Sequence, residues 1–452
     1  MERITKVEGN ASLSLSVKDN KVTNVNFKIA EYKRFYTEAL KGKAILGVPQ
    51  LLARICGTCS NAHILASIAA CESALGITPT EQTELLRTLT AHGLVIRDHA
   101  LHLYLFSLPD IYGKDAFLDF DENDPDEHQL LHDGFDVKSA GNFLATLVAG
   151  RSVHATYPTI GGFLRFPEKS GIEEAIRKLE AARPAALRII NIFKEAPFHF
   201  DRKATYMALV PDKSYGYLAL QNFSEKNLGG RGAKIMTSKG EVFGEDKFRE
   251  HLERVVIPYS QASGYKYGGE SYLVGALARM NLAKSKLHPK TKESAKDALK
   301  VFPSIDIFRN NLAQAIEILH SIDESVEILK NNIFKAEPLV KTHSTSSGQV
   351  PNRDAVGVGV VEAPRGTLYH KITLGADGIV QEGEVIVPTS QNQLNIEQDI
   401  GRLVQELLPA SPVGEPDTPK EKIEFEIEKL IRAYDPCMSC AAHFLKVDWR
   451  KE

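Results

Sequence analysis

Four of the five cysteines stand in two C-x-x-C pairs at opposite ends of the chain, Cys56 and Cys59 in RICGTCSNAH and Cys437 and Cys440 in DPCMSCAAH. Cys56 and Cys437 are 381 residues apart, so only a completed fold can unite the pairs. Four converging thiolates form a soft donor set suited to zinc, nickel, copper(I) or an iron–sulfur cluster. Each pair is followed by a histidine, His63 and His443, which extends the chemistry to groups that orient the ligands. The plainer readings are a structural zinc site or two reversible disulfides. Zinc knuckles usually close over tens of residues, which counts against the first. No βαβ pattern surrounds either pair, which counts against a thioredoxin-like redox site. Cys71, inside the apolar stretch LASIAACESAL, reads as an inert core thiol.

Other residues gain meaning only in company. Asp98 sits in the apolar stretch LVIRDHALHLY, where an unpaired carboxylate is expensive, so it needs a cationic partner. Arg365 in EAPRGTLYH reads alone as a turn arginine in an ordinary ion pair, and Asp435 before Pro436 as a cap or turn residue. Glu8 reads alone as an exposed strand-edge glutamate. For His92, His99, His102 and His370 a satisfied core position is a commoner reading than a ligand, and they carry no assignment.

The elements that must position these groups give an α+β chain, predominantly helical. Ala11–Val17 and Val22–Ile29 alternate around KDN and predict a β-hairpin within residues 1–30. Apolar periodicity predicts helices over about 45–75 and 82–106, the second buried on nearly all sides. Further helices are expected over about 138–153, 172–196, 306–334, 396–408 and 420–434, with an irregular or short-stranded excursion between 198 and 258. GVGVVEAPRGTLYHKITLGADGIVQEGEVIVPT reads as several strands with an Ala-Asp-Gly turn. The organisation expected is one large catalytic domain over 1–452: the hairpin, a helical core over 45–195 carrying the first pair, a β-rich region over 355–390, C-terminal helices over 394–443 carrying the second pair, and a tail over 444–452. A net charge of −3 gives no reason to expect nucleic acid or an anionic membrane as partner. No apolar leader and no membrane span are visible, so a cytoplasmic location is expected, although a chain can also be exported on a partner's signal.

The residues also carry a resemblance. RICGTCSNAH with DPCMSCAAH is similar to the R-x-C-G-x-C-x-x-x-H and D-P-C-x-x-C-x-x-H hallmarks of the large, catalytic subunit of nickel–iron hydrogenases. ITKVEG resembles that family's R-x-E-G element, EAPRGTLYH its A-P-R-G segment, VPTSQN its P-[ST]-x-x-N element, and GRSVHATYPTIGG its H-P…G-G stretch with altered spacing. The fold of the family is shared with a quinone-site subunit of respiratory complex I, whose members lack the cysteine pairs. A cysteine-bound structural metal, or a non-hydrogenase electron-transfer subunit of that kind, is the alternative function.

The resemblance implies reversible cleavage of dihydrogen into protons and electrons. It implies Cys56 and Cys437 as terminal thiolates on nickel and Cys59 and Cys440 as bridges between nickel and an iron that also carries one carbon monoxide and two cyanides. It places Arg365 above the metals, held by Asp98 and Asp435, with Glu8 taking protons from Cys437. His63 would hydrogen-bond near Cys59, Pro388 and Thr389 would adjoin the cofactor, and His443 would bind a magnesium or similar cation. The glutamate for that cation falls at Glu38 in KRFYTEAL, with Thr37 at the ungapped position, and Lys6 and Asn10 replace the family's usual arginine and histidine. FLKVDWRKE follows His443, where a maturation protease trims most members, so the tail is either a precursor's or a retained one. Partners implied are an iron–sulfur small subunit, further subunits coupling to NAD(P), a deazaflavin or a heterodisulfide-type acceptor, and nickel-insertion proteins. The soluble bidirectional class is the most similar in motif style. Without a G-x-G-x-x-G fingerprint after a strand, any nicotinamide or flavin site belongs to another subunit.

Overall fold

In the hairpin, Asp19 and Asn20 both take positive φ, 49° and 57°, the two-residue turn whose twist matches its strands. It joins β1 (Ala11–Lys18) to β2 (Lys21–Ile29), and β1 buries Ala11, Leu13 and Leu15 on one face. This computed structural model describes residues 9, 11–29, 34–211, 233–341, 354–408, 419–437 and 445–451. Glu8, Asn10, Cys440 and His443 lie outside the described residues.

The helical core is built on α1 (Ser60–Leu75), α2 (Glu81–Ala100), α3 (Pro125–Ala149) and α4 (Lys169–Glu195). The Thr80 hydroxyl caps α2 by accepting the Thr83 N–H at 3.1 Å, and Asp124 caps α3 by accepting from Asp126 and Glu127. Two further helices matter for the site: the short α5 (Ala276–Ala283) and α6 (Arg309–Asn331), whose first four turns are buried on every side.

A three-stranded sheet, β3 (Ala355–Ala363), β4 (Gly366–Leu374) and β5 (Val380–Ile386), covers α1. Helix and strand lie almost in backbone contact: a Cβ on Gly359 would stand 2.2 Å from the Ala66 carbonyl oxygen. Glycine on β3 facing alanine on α1 thus brings the helix that follows the first cysteine pair against the hairpin that carries Arg365. The chain then continues through α7 (Pro388–Leu407) and α8 (Lys420–Ala433) to Cys437.

Among the described residues the expected helices and strands are present, with several shifted boundaries, while residues 212–232 of the expected excursion lie outside them. The single helix expected over 45–75 is short turns up to Ile55, then an extended Cys56 (φ −139°, ψ 140°), then α1. The backbone leaves helical geometry where the cysteines need it. Helix α3 starts thirteen residues before the expected Lys138, because its first turns face solvent and show no apolar period. Helix α7 starts at Pro388 rather than Ile396, because its first turns are buried through Thr, Ser, Gln and Asn rather than through apolar groups. Beyond Ser107 the wide turn that prolongs α2 gives way to another short helical turn, Leu108–Ile111. Within the expected tail, Leu445–Lys451 forms a strand, β6, that pairs in parallel with β1. No helix among the described residues is long and apolar enough to cross a membrane.

Candidate metal centre

The fold closes the gap between the cysteine motifs. The Sγ atoms of Cys56 and Cys437 stand 3.4 Å apart, and ligand atoms of Cys56, Cys59 and Cys437 all lie within 4.8 Å of one another. Three contacts set this geometry. The Cys56 thiol accepts the Cys59 backbone N–H at 3.2 Å, which curls the C-G-T-C loop around the sulfur. The Arg97 guanidinium on α2 donates to the Thr58 carbonyl and pins the same loop from behind. The Thr389 hydroxyl at the start of α7 accepts the Cys437 N–H at 3.0 Å.

Hydrogen bonds from Cys437 and Cys56, with burial, push the Cys59 thiol well above its usual value, and the bond with Cys56, against the opposing bond with Cys59 and aided by burial, takes Cys437 up to about 11. So crowded a set resists ionisation while only thiols are present. A soft divalent cation removes that resistance, because it takes the place of the protons. The donor set therefore fits a thiolate-bound metal.

The cavity at the thiols is also lined by His63, Arg365, Pro388 and Thr389. Arg365 is 5% exposed and occupies the second position of a two-residue turn, Pro364–Arg365, between Ala363 and its cross-strand partner Gly366. Gly366 adopts φ 130°, and a Cβ there would stand 2.7 Å from a Val274 methyl and 2.9 Å from the Gly275 nitrogen. The turn therefore demands glycine. The guanidinium donates to Asp98 Oδ2 at 2.6 Å through Nη1 and to Asp435 Oδ1 at 3.1 Å through Nε. Asp98 is fully buried and Asp435 3% exposed, so one cation lies between two desolvated carboxylates and is held in place. Asp435 reaches it from a left-handed conformation, φ 47°. The Gln314 amide on α6 donates to the other Asp435 oxygen at 2.7 Å, while its carbonyl accepts from His102 Nδ1 at 2.7 Å.

Of the site residues expected from sequence, the structure thus brings together Cys56, Cys59, Cys437, His63, Asp98, Arg365, Pro388, Thr389 and Asp435. Glu38 is exposed and paired with Lys41 at 3.0 Å, and its expected companion His443 is among the residues not described. Sequence alone does not single out Arg97 or Gln314, and it gives His370 no role. His370 Nε2 lies 3.0 Å from His63 Nδ1, and burial lowers its pKa to about 3, so it stays neutral behind His63. The signal for His370 was present five residues after Arg365, on the strand that follows the turn.

A second cluster, His92, His320 and Glu324, also has ligand atoms within 4.8 Å of one another. His320 Nδ1 accepts the His288 backbone N–H at 3.1 Å, so its Nε2 carries the proton, and it stands 2.8 Å from the Glu324 carboxylate. That nitrogen is engaged in an ion-pair-like contact within α6, not offered as a lone pair to a metal.

Residues 34–128 and 222–443 match the family described as nickel-dependent hydrogenase. The chain is 30% identical to the alpha subunit of sulfhydrogenase 1 from Pyrococcus furiosus, covering 99% of this chain and 98% of that one. It is 27% identical to the matching subunit of the F420-non-reducing hydrogenase from Methanothermobacter marburgensis, covering 100% and 95%. Its fold is similar to that of an NAD+-reducing nickel–iron hydrogenase solved in the H2-reduced state, with a TM-score of 0.81 at 22% identity over 98% of each chain. It is also similar to the nickel–iron–selenium hydrogenase of D. vulgaris Hildenborough, with a TM-score of 0.71 at 22% identity over 98% of this chain and 99% of that one. The cysteine geometry and the family match agree: this chain belongs to the nickel-dependent hydrogenases and is the large, catalytic subunit of a nickel–iron hydrogenase, an oxidoreductase acting on dihydrogen.

Proposed function

We propose that this protein splits dihydrogen heterolytically and reversibly, sending protons to solvent and electrons to a separate iron–sulfur subunit. The observation that carries the reading is the convergence of Cys56, Cys59 and Cys437 on a cavity that Arg365 also lines. Cys56 and Cys437 would hold nickel, and Cys59 with Cys440 would join it to an iron whose carbon monoxide and two cyanides no side chain supplies. When bound, such a pair supplies a soft, redox-active centre with an open position at which dihydrogen is polarised.

The protein's own part is electrostatic and protonic. A guanidinium does not give up its proton in a protein, so Arg365 acts by its charge, stabilising the charge separation as the two hydrogen atoms part. Asp98 and Asp435 fix that charge in direction. The Cys437 sulfur accepts the proton and Glu8 carries it onward. His63, backed by neutral His370, faces the same cavity as Cys59.

Electrons must leave through another chain, because Cys71 is the one cysteine outside the two motifs and no thiolate set remains for an iron–sulfur relay. An iron–sulfur small subunit takes that role, with further subunits coupling to NAD(P), a deazaflavin or a heterodisulfide-type acceptor. The printed names of the relatives, subunits of sulfhydrogenases and of F420-non-reducing hydrogenases, support a multi-subunit enzyme of this kind. A maturation protease and nickel-insertion proteins would act before assembly, magnesium would bind through His443 and Glu38, and the complex would work in the cytoplasm.

Elemental analysis of protein co-expressed with maturation factors tests the reading. One nickel and one iron per chain, both lost in Cys59→Ser, are expected. Zinc alone in fully matured protein would overturn it.

A further inference from the structure

Arg279, on α5, is 1% exposed, and all five of its N–H donors are used. Nε donates to Glu317 Oε1 at 2.8 Å and Nη2 to Glu317 Oε2 at 2.7 Å, a bidentate pair across to α6. Nη1 donates to Glu362 Oε2 at 2.8 Å. The remaining two donors reach main-chain carbonyls, Ala363 at 2.9 Å and Pro364 at 2.8 Å. Those are the two residues immediately before Arg365. A guanidinium that does not line the metal cavity therefore staples the turn through its main chain.

The staple is itself anchored. Glu362 accepts the Thr367 hydroxyl at 2.6 Å and the Leu209 N–H at 2.7 Å through its other oxygen, so it closes the turn across its base. Glu317 also takes a contact from His99 Nε2 at 2.8 Å. His99 is the neighbour of Asp98 on α2, and Gln314 lies one helical turn before Glu317 on α6. The same two helices thus hold Arg365 twice: Asp98 and the Gln314-braced Asp435 grip its side chain, while His99 and Glu317, through Arg279, grip its main chain.

We infer that Arg279 is a positioning residue for dihydrogen cleavage, acting through the Ala363 and Pro364 carbonyls to set where the Arg365 guanidinium stands over the cavity. The inference rests on the proposed role of Arg365 in cleavage. Lysine at position 279 keeps the charge but offers three donors from one point, so it cannot span two carboxylates and two carbonyls.

The test uses the matured enzyme, with dihydrogen exchange against deuterated water as the rate, in Arg279→Lys, Arg365→Lys and the double variant at equal nickel content. Crystal structures of the single variants are determined alongside. Arg279→Lys is expected to lower exchange about 10–100-fold and to lengthen the Arg365–Asp98 contact beyond hydrogen bonding. In the Arg365→Lys background the same change should cost less than about threefold, because residues acting as a unit are not additive. An undisplaced Arg365 with normal exchange, or equal losses in both backgrounds, would overturn the inference. Normal exchange in Arg365→Lys itself would instead overturn the role of Arg365, while the crystal structure of Arg279→Lys still decides whether the staple sets its position. If Arg279→Lys does not fold, Glu317→Gln, which is isosteric and removes the bidentate charge pair that aims the Arg279 guanidinium at the two carbonyls, is judged by the same displacement and the same non-additivity.

Discussion

Replacing Arg365 by lysine separates charge from shape at the point where the account needs both. In the native turn the guanidinium reaches Asp98 at 2.6 Å and Asp435 at 3.1 Å from two different nitrogens. An ammonium placed between them keeps the net charge and so avoids leaving two buried carboxylates with no cation, which would cost about 3–5 kcal/mol. It cannot keep both contacts at full length, and losing one hydrogen bond to a charged group costs about 1.5–3 kcal/mol in folding stability. The larger effect falls on the rate, because the surviving charge no longer sits where charge separates. Loss of one preorganised electrostatic group costs about 100–1,000-fold, or about 2.7–4 kcal/mol of barrier. Exchange of dihydrogen with deuterated water is the right assay, since it reads cleavage without any electron acceptor. The expected outcome is a fall in exchange of that size at unchanged nickel and iron content. Exchange within about threefold of native at full metal loading would remove Arg365 from the mechanism, since no electrostatic role of this size is compatible with it.

Other perturbations test other joints of the structure. Gly366→Ala forces a Cβ to 2.7 Å from Val274 at φ 130°, so unfolding by urea should show a loss of about 2–5 kcal/mol, and an unchanged midpoint would contradict the described turn. Burial lowers the pKa of His92 to about 4, against the opposing pull of Glu324 and alongside the nearby His320 and His288. The unfolded chain therefore takes up this proton first as acid is added. Stability is complete above about pH 6.5 and falls toward pH 4, by up to about 1.4 kcal/mol per pH unit from this group. His92→Gln should flatten that slope in urea titrations, and an unaltered slope would place the acid sensitivity elsewhere. Glu8→Gln should abolish turnover while nickel and iron remain in place; normal turnover would end its assignment as the proton relay.

The sequence made the candidate ligands legible because their chemistry is local to short motifs: two C-x-x-C pairs need no knowledge of what lies between them. The β1–β2 hairpin was legible for the same reason, its alternation and KDN turn being contained in nineteen residues. Asp98 was legible by its cost, as a carboxylate in an apolar stretch. The groups that hold the site in shape were not. Arg279 in ALARMNLA looks like the exposed charge of an amphipathic helix, and nothing nearby in sequence shows that Glu317, Glu362 and two carbonyls surround it. Gln314 in NLAQAIEIL is hidden in the same way, because its partners Asp435 and His102 lie on other elements. The polar first turns of α7 escaped the apolar periodicity that marks helices, although Asn392 alone closes two hydrogen bonds with Val274. Strand β6 could not be foreseen, since its pairing partner β1 lies at the other end of the chain.

The most direct test of the central claim is an infrared spectrum of the matured protein in the window between the amide bands and the thiol stretch. The account predicts one band from carbon monoxide and two from cyanide, diatomic ligands on an iron held by the thiolates gathered at Cys56, Cys59 and Cys437. A spectrum empty in that window, from protein whose four cysteines hold zinc alone, would contradict it.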